Sequence, residues 1–103
     1  MAKNYLFKIN TPIGINIRTT ENYWILIQTK HPEIKHHLAL VKSTLIMPDL
    51  ITKSKIDNNV LLSYKKTNGY WFCVVAKCSN IDGFIITAYI TDKIKEGVKI
   101  WPN

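Results

Sequence analysis

Residues 68–90 read Asn68-Gly69, then Tyr70-Trp71-Phe72-Cys73-Val74-Val75-Ala76-Lys77-Cys78, and after a turn Gly83-Phe84-Ile85-Ile86-Thr87-Ala88-Tyr89-Ile90. Both long runs are rich in β-branched and aromatic residues, which favour strands. Asn-Gly is the preferred pair for the tight type I′ turn of a β-hairpin. Val60–Lys66 alternates in the same way before that turn. These residues therefore predict three antiparallel strands, with a weaker fourth at Leu50–Ile56.

The chain before Pro32 predicts two further strands and a helix. Alternation over Tyr5–Ile9 and Gly14–Arg18 predicts the strands, and Thr11-Pro12 marks the break between them. Thr20 is a suitable N-cap, because its hydroxyl can accept a hydrogen bond from a free N–H of the first turn. The first helix is predicted to run from there to about Lys30.

A second helix is predicted to begin at Pro32, since proline suits the first helical position. Its apolar residues recur at spacings of 4, 3 and 4, which is typical of a helix packed on a flat surface. They are Ile34, Leu38, Val41 and Leu45. We therefore predict one α+β domain over residues 1–103, with N-terminal strands and two helices on one face of a four-stranded antiparallel sheet.

The composition favours an anionic partner. The 103 residues carry a net charge of +7, which is expected of a nucleic-acid-binding domain. Thirteen of the fourteen basic residues are lysine, in a chain also rich in Ile and Asn, so a general compositional bias is an alternative source of the charge. The residues show neither a membrane span nor a signal-peptide core. A cytoplasmic protein is the first expectation, and a toxin domain cut from a secreted chain would look the same.

No cofactor or metal site is predicted from the residue pattern. Cys73 and Cys78 are five positions apart on one strand, and an odd spacing puts their side chains on opposite faces of the sheet. They should neither pair nor share a metal, and we interpret both as small core residues. The aspartates occur at predicted turns and form no carboxylate cluster typical of a two-metal nuclease.

The two predicted turns set the register and therefore the two faces of the sheet. If Asn68-Gly69 is a two-residue loop, Tyr64 pairs with Cys73; a pairing of Cys78 with Phe84 across the next turn puts Cys73 opposite Tyr89. One face is then almost entirely apolar and belongs under the helices: Leu61, Ser63, Phe72, Val74, Ala76, Cys78, Phe84, Ile86, Ala88 and Ile90. The other mixes aromatic, hydroxyl and lysine groups: Leu62, Tyr64, Lys66, Trp71, Val75, Lys77, Thr87 and Tyr89.

This mixed face suits single-stranded RNA, which needs stacking surfaces, hydrogen-bond donors and positive charge together. Tyr64 and Lys77 are predicted RNA-binding residues on it. The alternative is a half-covered sheet face on which tyrosines favour the strand and lysines keep its edge soluble. Lys53 and Lys55 share one face of the weak strand, where they either hold phosphate or only protect an edge.

His31 is the candidate acid or base for cleaving RNA. It stands directly before the proline-started helix, where free N–H groups attract phosphate. RNA is cut without metal when its 2′-hydroxyl attacks the adjacent phosphorus, and histidine commonly moves the protons. A capping or packing histidine is the alternative. His36 and His37 flank the apolar stripe, and we interpret them as solvated.

The chain resembles small phage- and bacteria-associated nuclease domains of the BECR group, named after barnase, EndoU, colicin and RelE. The resemblance covers residues 20 to 101 and is most specific in its combination of His-Pro-Glu with Thr-Ala-Tyr. The matching residues are Trp24, Lys30-His31-Pro32-Glu33, Val41, Leu45, Pro48-Asp49, Ser54, Asp57, Tyr64, Trp71, Val74-Val75, Gly83-Phe84, Thr87-Ala88-Tyr89, Ile94-Lys95-Glu96-Gly97 and Ile100-Trp101.

The resemblance implies a metal-independent ribonuclease, often a toxin held by an antitoxin protein. It implies active-site roles for His31, Thr87 and Tyr89, with Lys53 or Lys55 on phosphate. Two positions depart from the group's pattern: Leu26 stands where a histidine is common, and Lys53 where arginine is common.

We therefore expect a cytoplasmic ribonuclease that cleaves RNA by 2′-hydroxyl transesterification. One alternative is a catalytically silent RNA-binding or regulatory module, which Leu26 and the lysine-only phosphate set favour. The other is a protein-interaction domain that uses the aromatic sheet face, since protein interfaces are also enriched in aromatic residues. Salt dependence separates the protein-interaction domain from the other two, because RNA contacts weaken steeply with ionic strength. Cleavage of RNA in the presence of a chelator separates the ribonuclease from the silent module.

Overall fold

Seven strands form one mixed sheet in the computed structural model, which describes residues 5–102. The strands are β1 (Tyr5–Asn10), β2 (Asn16–Thr20), β3 (Leu50–Ser54), β4 (Val60–Thr67), β5 (Tyr70–Ser79), β6 (Asp82–Thr91) and β7 (Gly97–Trp101). The helices are α1 (Glu21–Lys30) and α2 (Leu38–Ile46), with a short 3₁₀ helix at Pro32–Ile34 between them. The order across the sheet is β1-β2-β6-β5-β4-β3-β7.

The prediction of a four-stranded antiparallel sheet, BECR-like in architecture, is wrong. The N-terminal strands do not pack on the sheet; they extend it, because β2 pairs in parallel with β6. At the opposite edge β7, which was not predicted as a strand, pairs antiparallel with β3. The four predicted antiparallel strands are present as the inner part β3 to β6 of this larger mixed sheet.

Side chains of β2 and β5 pack tightly over Gly83, where β2 pairs with β6. Ile17 pairs with Gly83, where a Cβ atom would lie 2.9 Å from the Ile17 side chain and 2.7 Å from Cys78 Sγ. Glycine at this position therefore lets β2 and β5 both pack closely around β6. The pairing stops after Arg18 and Phe84, so the rest of β6 on that side has no neighbouring strand within residues 5–102.

The first helix begins as predicted, and the second does not. The Thr20 hydroxyl accepts a hydrogen bond from the Tyr23 N–H, which caps α1. Pro32 starts only a single 3₁₀ turn. His36 then adopts a φ of 72°, which no α-helix accommodates, so α2 begins at Leu38. Ile34 still packs in the same buried cluster as α2. Within residues 5–102, no helix is both long and apolar enough to span a membrane.

The predicted register is confirmed around the first turn and is partly wrong around the second. Tyr64 pairs with Cys73, and Cys73 with Tyr89, as expected. The second turn is shorter than predicted, because Asn80 adopts a positive φ of 57° and Ser79 pairs directly with Asp82. Phe84 therefore faces Lys77, and a bulge between the Val75 and Ala76 pairings restores the predicted register beyond it.

The buried side chains form two clusters, one on each face of the sheet. The cluster under the helices contains residues from both helices and from β1, β2, β5 and β6, among them Phe7, Ile17, Trp24, Ile34, Val41, Leu45, Phe72, Val74, Ile85 and Ala88. Leu62, Tyr64, Cys73 and Val75 form a smaller cluster on the opposite side, which we call the far face. Contrary to prediction, Ile86 packs on the far face and Phe84 is 45% exposed. Cys73 and Cys78 lie on opposite faces as predicted.

Candidate functional site

The site begins where α1 ends. The His31 N–H donates to the Ile27 carbonyl at 2.9 Å and closes the last turn of α1, after which Pro32 redirects the chain. One third of the His31 side chain is exposed. Its Nδ1 lies 3.4 Å from Glu33 Oε2, so this carboxylate can orient the ring. The Glu33 contact does not use Nε2, the other ring nitrogen. The predicted phosphate-binding terminus of a long helix is absent at His31, because only a 3₁₀ turn follows.

The His31 ring meets Tyr89 of β6. Their ring centroids are 5.9 Å apart with an angle of 35° between the planes. The contact is made around the side of β6 that β2 leaves without a partner, where the 3₁₀ helix packs against β6. Tyr23 of α1 fastens the same region, since its hydroxyl donates to the Ile86 carbonyl at 3.2 Å. A histidine from the helical side is thereby brought next to a far-face tyrosine.

Thr87 and Tyr89 both belong to the far face, opposite Val75 and Cys73. Neither hydroxyl has a hydrogen-bond partner within residues 5–102, and both oxygen atoms are buried. Burial, with smaller contributions from Cys73 and Tyr64, raises the pKa of Tyr89 well above its ordinary value. The phenol therefore stays protonated at neutral pH and is equipped to donate a hydrogen bond rather than to take up a proton.

A cavity of about 200 Å³ adjoins these two residues on the far face. Its polar wall comes from the loops after β3 and after β6, and its floor from the strands. The lining includes Ser54, Lys55, Leu62, Val75, Thr87, Tyr89, Lys95 and Glu96. Lys55 forms an ion pair with Glu96, and both side chains are largely exposed. Lys95 is a second cation at this wall, so the cavity combines positive charge with the Thr87 and Tyr89 side chains.

Two of the predicted RNA-binding residues are not available there. Tyr64 is fully buried, and its hydroxyl accepts a hydrogen bond from the Lys95 N–H at 3.1 Å, so it supports the loop instead of stacking on a base. Burial raises the pKa of Tyr64 to about 12. Lys53 pairs with Leu61, which packs against the helix-side cluster, so its side chain is directed away from Thr87. Lys55 lines the far-face cavity, so the prediction that Lys53 and Lys55 share one face is wrong.

Lys77 is on the far face, as predicted, and does not itself line the cavity, although its cross-strand partner Val60 does. It pairs with Phe84, and its Nζ lies 3.1 Å from Asp57 Oδ2. A hydrogen bond from the Asn59 backbone, followed by the bond from Lys77, lowers the pKa of Asp57. Lys77 is about half exposed, so the pair is solvated and leaves the cation accessible.

The histidines of the loop before α2 differ from each other. His36 is exposed, as predicted, whereas the His37 ring stacks on Phe72 with a centroid distance of 6.2 Å and is partly buried. His37 is therefore only partly solvated. Sequence reasoning also missed Lys95 and Glu96 as cavity residues, because only the position of β7 folds their loop over the far face. Within residues 5–102, no three His, Cys, Asp or Glu side chains are grouped in a way that could hold a metal ion.

Comparison with known proteins adds no assignment: no protein-family model matches the chain, and neither curated proteins nor solved structures show significant similarity to it. The site is therefore interpreted from its own geometry.

Removing either buried hydroxyl should leave stability unchanged or increase it. A buried hydroxyl without a partner costs about 1–3 kcal/mol, and Thr87→Val or Tyr89→Phe removes it while nearly keeping the side chain's shape. We expect the free energy of unfolding of each variant to equal or exceed that of the parent, measured by urea denaturation. If the hydroxyls contact a transition state, RNA cleavage should fall more than RNA binding. A loss of more than about 1.5 kcal/mol would instead show that each hydroxyl makes a stabilising hydrogen bond in solution.

Proposed function

We propose that this chain binds RNA and cleaves it by internal transesterification, with His31 as the acid or base. The observation that carries the proposal is the contact between the His31 and Tyr89 rings, next to a cavity whose wall holds Lys55 and Lys95. The residues come from the end of α1, from β6 and from two loops, and they bring a histidine, a phenol and two lysines to one side of the sheet. The net charge of +7 fits a polyanionic substrate.

Each group has a chemical role in this reaction. The 2′-hydroxyl of RNA attacks the adjacent phosphorus, the bond to the 5′-oxygen breaks, and a 2′,3′-cyclic phosphate forms. His31 Nε2 accepts the proton of the attacking hydroxyl or supplies one to the leaving oxygen. Lys55 and Lys95 offset the negative charge that develops on the phosphorane oxygens. Tyr89, held protonated by burial, donates a hydrogen bond to the phosphorane after a local opening of the cavity exposes its hydroxyl.

A second candidate is an RNA-binding module that does not cleave. It is favoured by the burial of the Thr87 and Tyr89 oxygens, which keeps both away from a substrate in the present conformation. Leu26 supports the same reading, because it occupies the position at which the resembled nucleases often carry a second histidine. This candidate shares the RNA contacts of the first and lacks only the reaction.

The proposal includes a protein partner, an antitoxin that covers the cavity. A large apolar side chain is exposed beside it, since Ile56 is 98% exposed. Ile56 lies on the loop that lines the cavity, next to Lys55. An inhibitor bound there would therefore bury apolar area and block Lys55 at the same time. A toxin of this kind acts in the cytoplasm, where its RNA substrates are found.

Cleavage should survive excess EDTA, since His31 and lysine side chains carry the proposed reaction. Incubation of the purified chain with single-stranded RNA should give products ending in a 2′,3′-cyclic phosphate or in the 3′-phosphate formed when it opens. End-group analysis by mass spectrometry distinguishes these from a 3′-hydroxyl. Loss of cleavage in EDTA with rescue by magnesium, or 3′-hydroxyl ends, would contradict transesterification. RNA binding without any cleavage would select the second candidate.

A further inference from the structure

The far face carries a row of side chains that the proposed reaction does not use. Lys8 of β1 pairs with Arg18 of β2, Arg18 with Phe84 of β6, and Phe84 with Lys77 of β5. Directly paired residues on neighbouring strands have side chains on the same face, so these four form one line across four strands. We call it the cross-strand row. It places three cations and one exposed aromatic ring side by side; Lys77 is also ion-paired with Asp57 and remains about half exposed.

Arg18, the single arginine of the chain, is fixed in position within this row. Its guanidinium donates to the Gly83 carbonyl at 3.2 Å, and its Cζ lies 5.8 Å from the centre of the Tyr5 ring. Such an anchored guanidinium has lost most of its rotational freedom before any ligand arrives. Its plane offers a stacking surface of the kind that nucleobases use.

A pocket of about 300 Å³ opens beside the row, where β2 and β6 separate. Tyr5, Arg18, Tyr23 and Phe84 contribute to its lining. Tyr5 is 43% exposed and Phe84 is 45% exposed, so both aromatic rings are partly accessible to solvent at the mouth of the pocket. The volume lies at the lower end of the range for small-molecule sites, which suits one planar ring system rather than a folded ligand.

We propose that this pocket accepts one nucleobase of single-stranded RNA, stacked against Phe84 and the Arg18 guanidinium, while Lys8 and Lys77 contact the flanking phosphates. The inference rests on the RNA-binding half of the proposed function and not on cleavage. Charge selects the occupant: an aromatic protein anchor would fit the rings but would not need three cations on one line. Phe84 and Thr87 are three residues apart on β6, about 10 Å, so one strand of RNA can reach both the pocket and the cavity.

The test measures the affinity for a single-stranded oligonucleotide whose 2′-hydroxyls are methylated, so that it binds without being cut. Phe84→Leu keeps the side chain apolar and removes the ring; it should weaken binding about tenfold, the effect of losing one stacked base. Arg18→Lys keeps the charge and removes the guanidinium plane, and we expect a loss of similar size. Tyr70→Leu is the matched control, because Tyr70 is similarly exposed, at 55% against 45% for Phe84, but begins β5 on the helix side. It should bind like the parent.

Salt dependence separates stacking from charge. The slope of log affinity against log salt should be unchanged in Phe84→Leu and should fall by about one unit or less in Lys8→Ala. Equal affinities of Phe84→Leu and Tyr70→Leu, with thermal unfolding confirming that both fold, would overturn the inference. So would a Phe84→Leu variant in which the salt slope falls as it does for Lys8→Ala.

Failure of this inference is distinguishable from failure of the proposed function. If the parent cleaves RNA without metal and Phe84→Leu has the same KM as the parent, the stacking pocket is refuted and the ribonuclease is supported. Binding that depends on Phe84, in a chain that cuts no RNA, would keep the pocket and remove the cleavage. A parent that does not bind the oligonucleotide at all would remove both.

Discussion

His31→Ala should lower RNA cleavage by about 100-fold or more, which is the usual contribution of a general acid or base. The side chain caps no helix and is one third exposed, so its removal leaves the backbone hydrogen bond of His31 to Ile27 intact. The melting temperature should therefore change little. Single-turnover cleavage of a labelled RNA, with circular dichroism as the folding check, measures both quantities. Affinity for RNA should fall far less than the rate, because one proton-transferring group is lost and the cationic surface is kept.

His36→Asn is the control for this substitution. His36 lies five residues further along, is exposed, and adopts a φ of 72°, which asparagine tolerates. It should cleave RNA like the parent. Equal rates for the parent, His31→Ala and His36→Asn would remove His31 from the mechanism. A loss of the same size in both variants would point to nonspecific damage of the loop.

Phe72→Ala should destabilise the fold by about 3–5 kcal/mol, the range for removing a buried phenylalanine. Phe72 is 1% exposed, lies near the middle of the sheet on β5, and packs in the cluster beneath the helices. The His37 ring stacks on it, so the cavity left by the substitution would also loosen the start of α2. Urea denaturation followed by tryptophan fluorescence gives the free energy of unfolding.

Phe72→Leu keeps most of the buried volume and should cost clearly less, about 1–2 kcal/mol. Tyr70→Ala removes a ring on the same strand that is 55% exposed, and it should change stability by no more than about 1 kcal/mol. If Phe72→Ala and Tyr70→Ala were equally stable, the helix-side cluster would not be the main core of the domain.

The sequence predicts local structure well where a turn and an alternating pattern occur together. Asn68-Gly69 sets the pairing of β4 with β5, and the Thr20 cap sets the start of α1. The parallel pairing of β2 with β6 has no such signal, because its two strands are far apart in sequence and no turn joins them. β7 was missed for a different reason: most of its residues are exposed or partly exposed, so its sequence lacks a clear apolar face.

The candidate site shows the same division. Thr87 and Tyr89 could be assigned to the far face because the register of their strand was counted from the preceding turn, and side chains alternate along a strand. Phe84 could not, since the positive φ at Asn80 shortens the turn and the bulge then corrects the register. The face on which Lys53 lies depends on whether it pairs with Leu61, on the helix side, or with Leu62, on the far face. The weak strand pattern of β3 does not determine this register. The contacts of Arg18 with Gly83 and Phe84 could not be predicted, because these residues are more than sixty positions away in the sequence.

The place of β6 in the sheet has a consequence for how the chain folds during synthesis. Phe7, Ile17 and Trp24 are made early, yet the cluster that buries them also needs side chains of β5 and β6. The pairing of Ile17 with Gly83 closes a loop of more than sixty residues, and contacts of such high sequence separation form slowly. On the ribosome, the apolar side chains of the first hairpin and α1 therefore lack part of their packing until Ile85 and Ala88 of β6 have emerged. During that interval the nascent chain is exposed to chaperones, proteases and any binding partner before it has a native core.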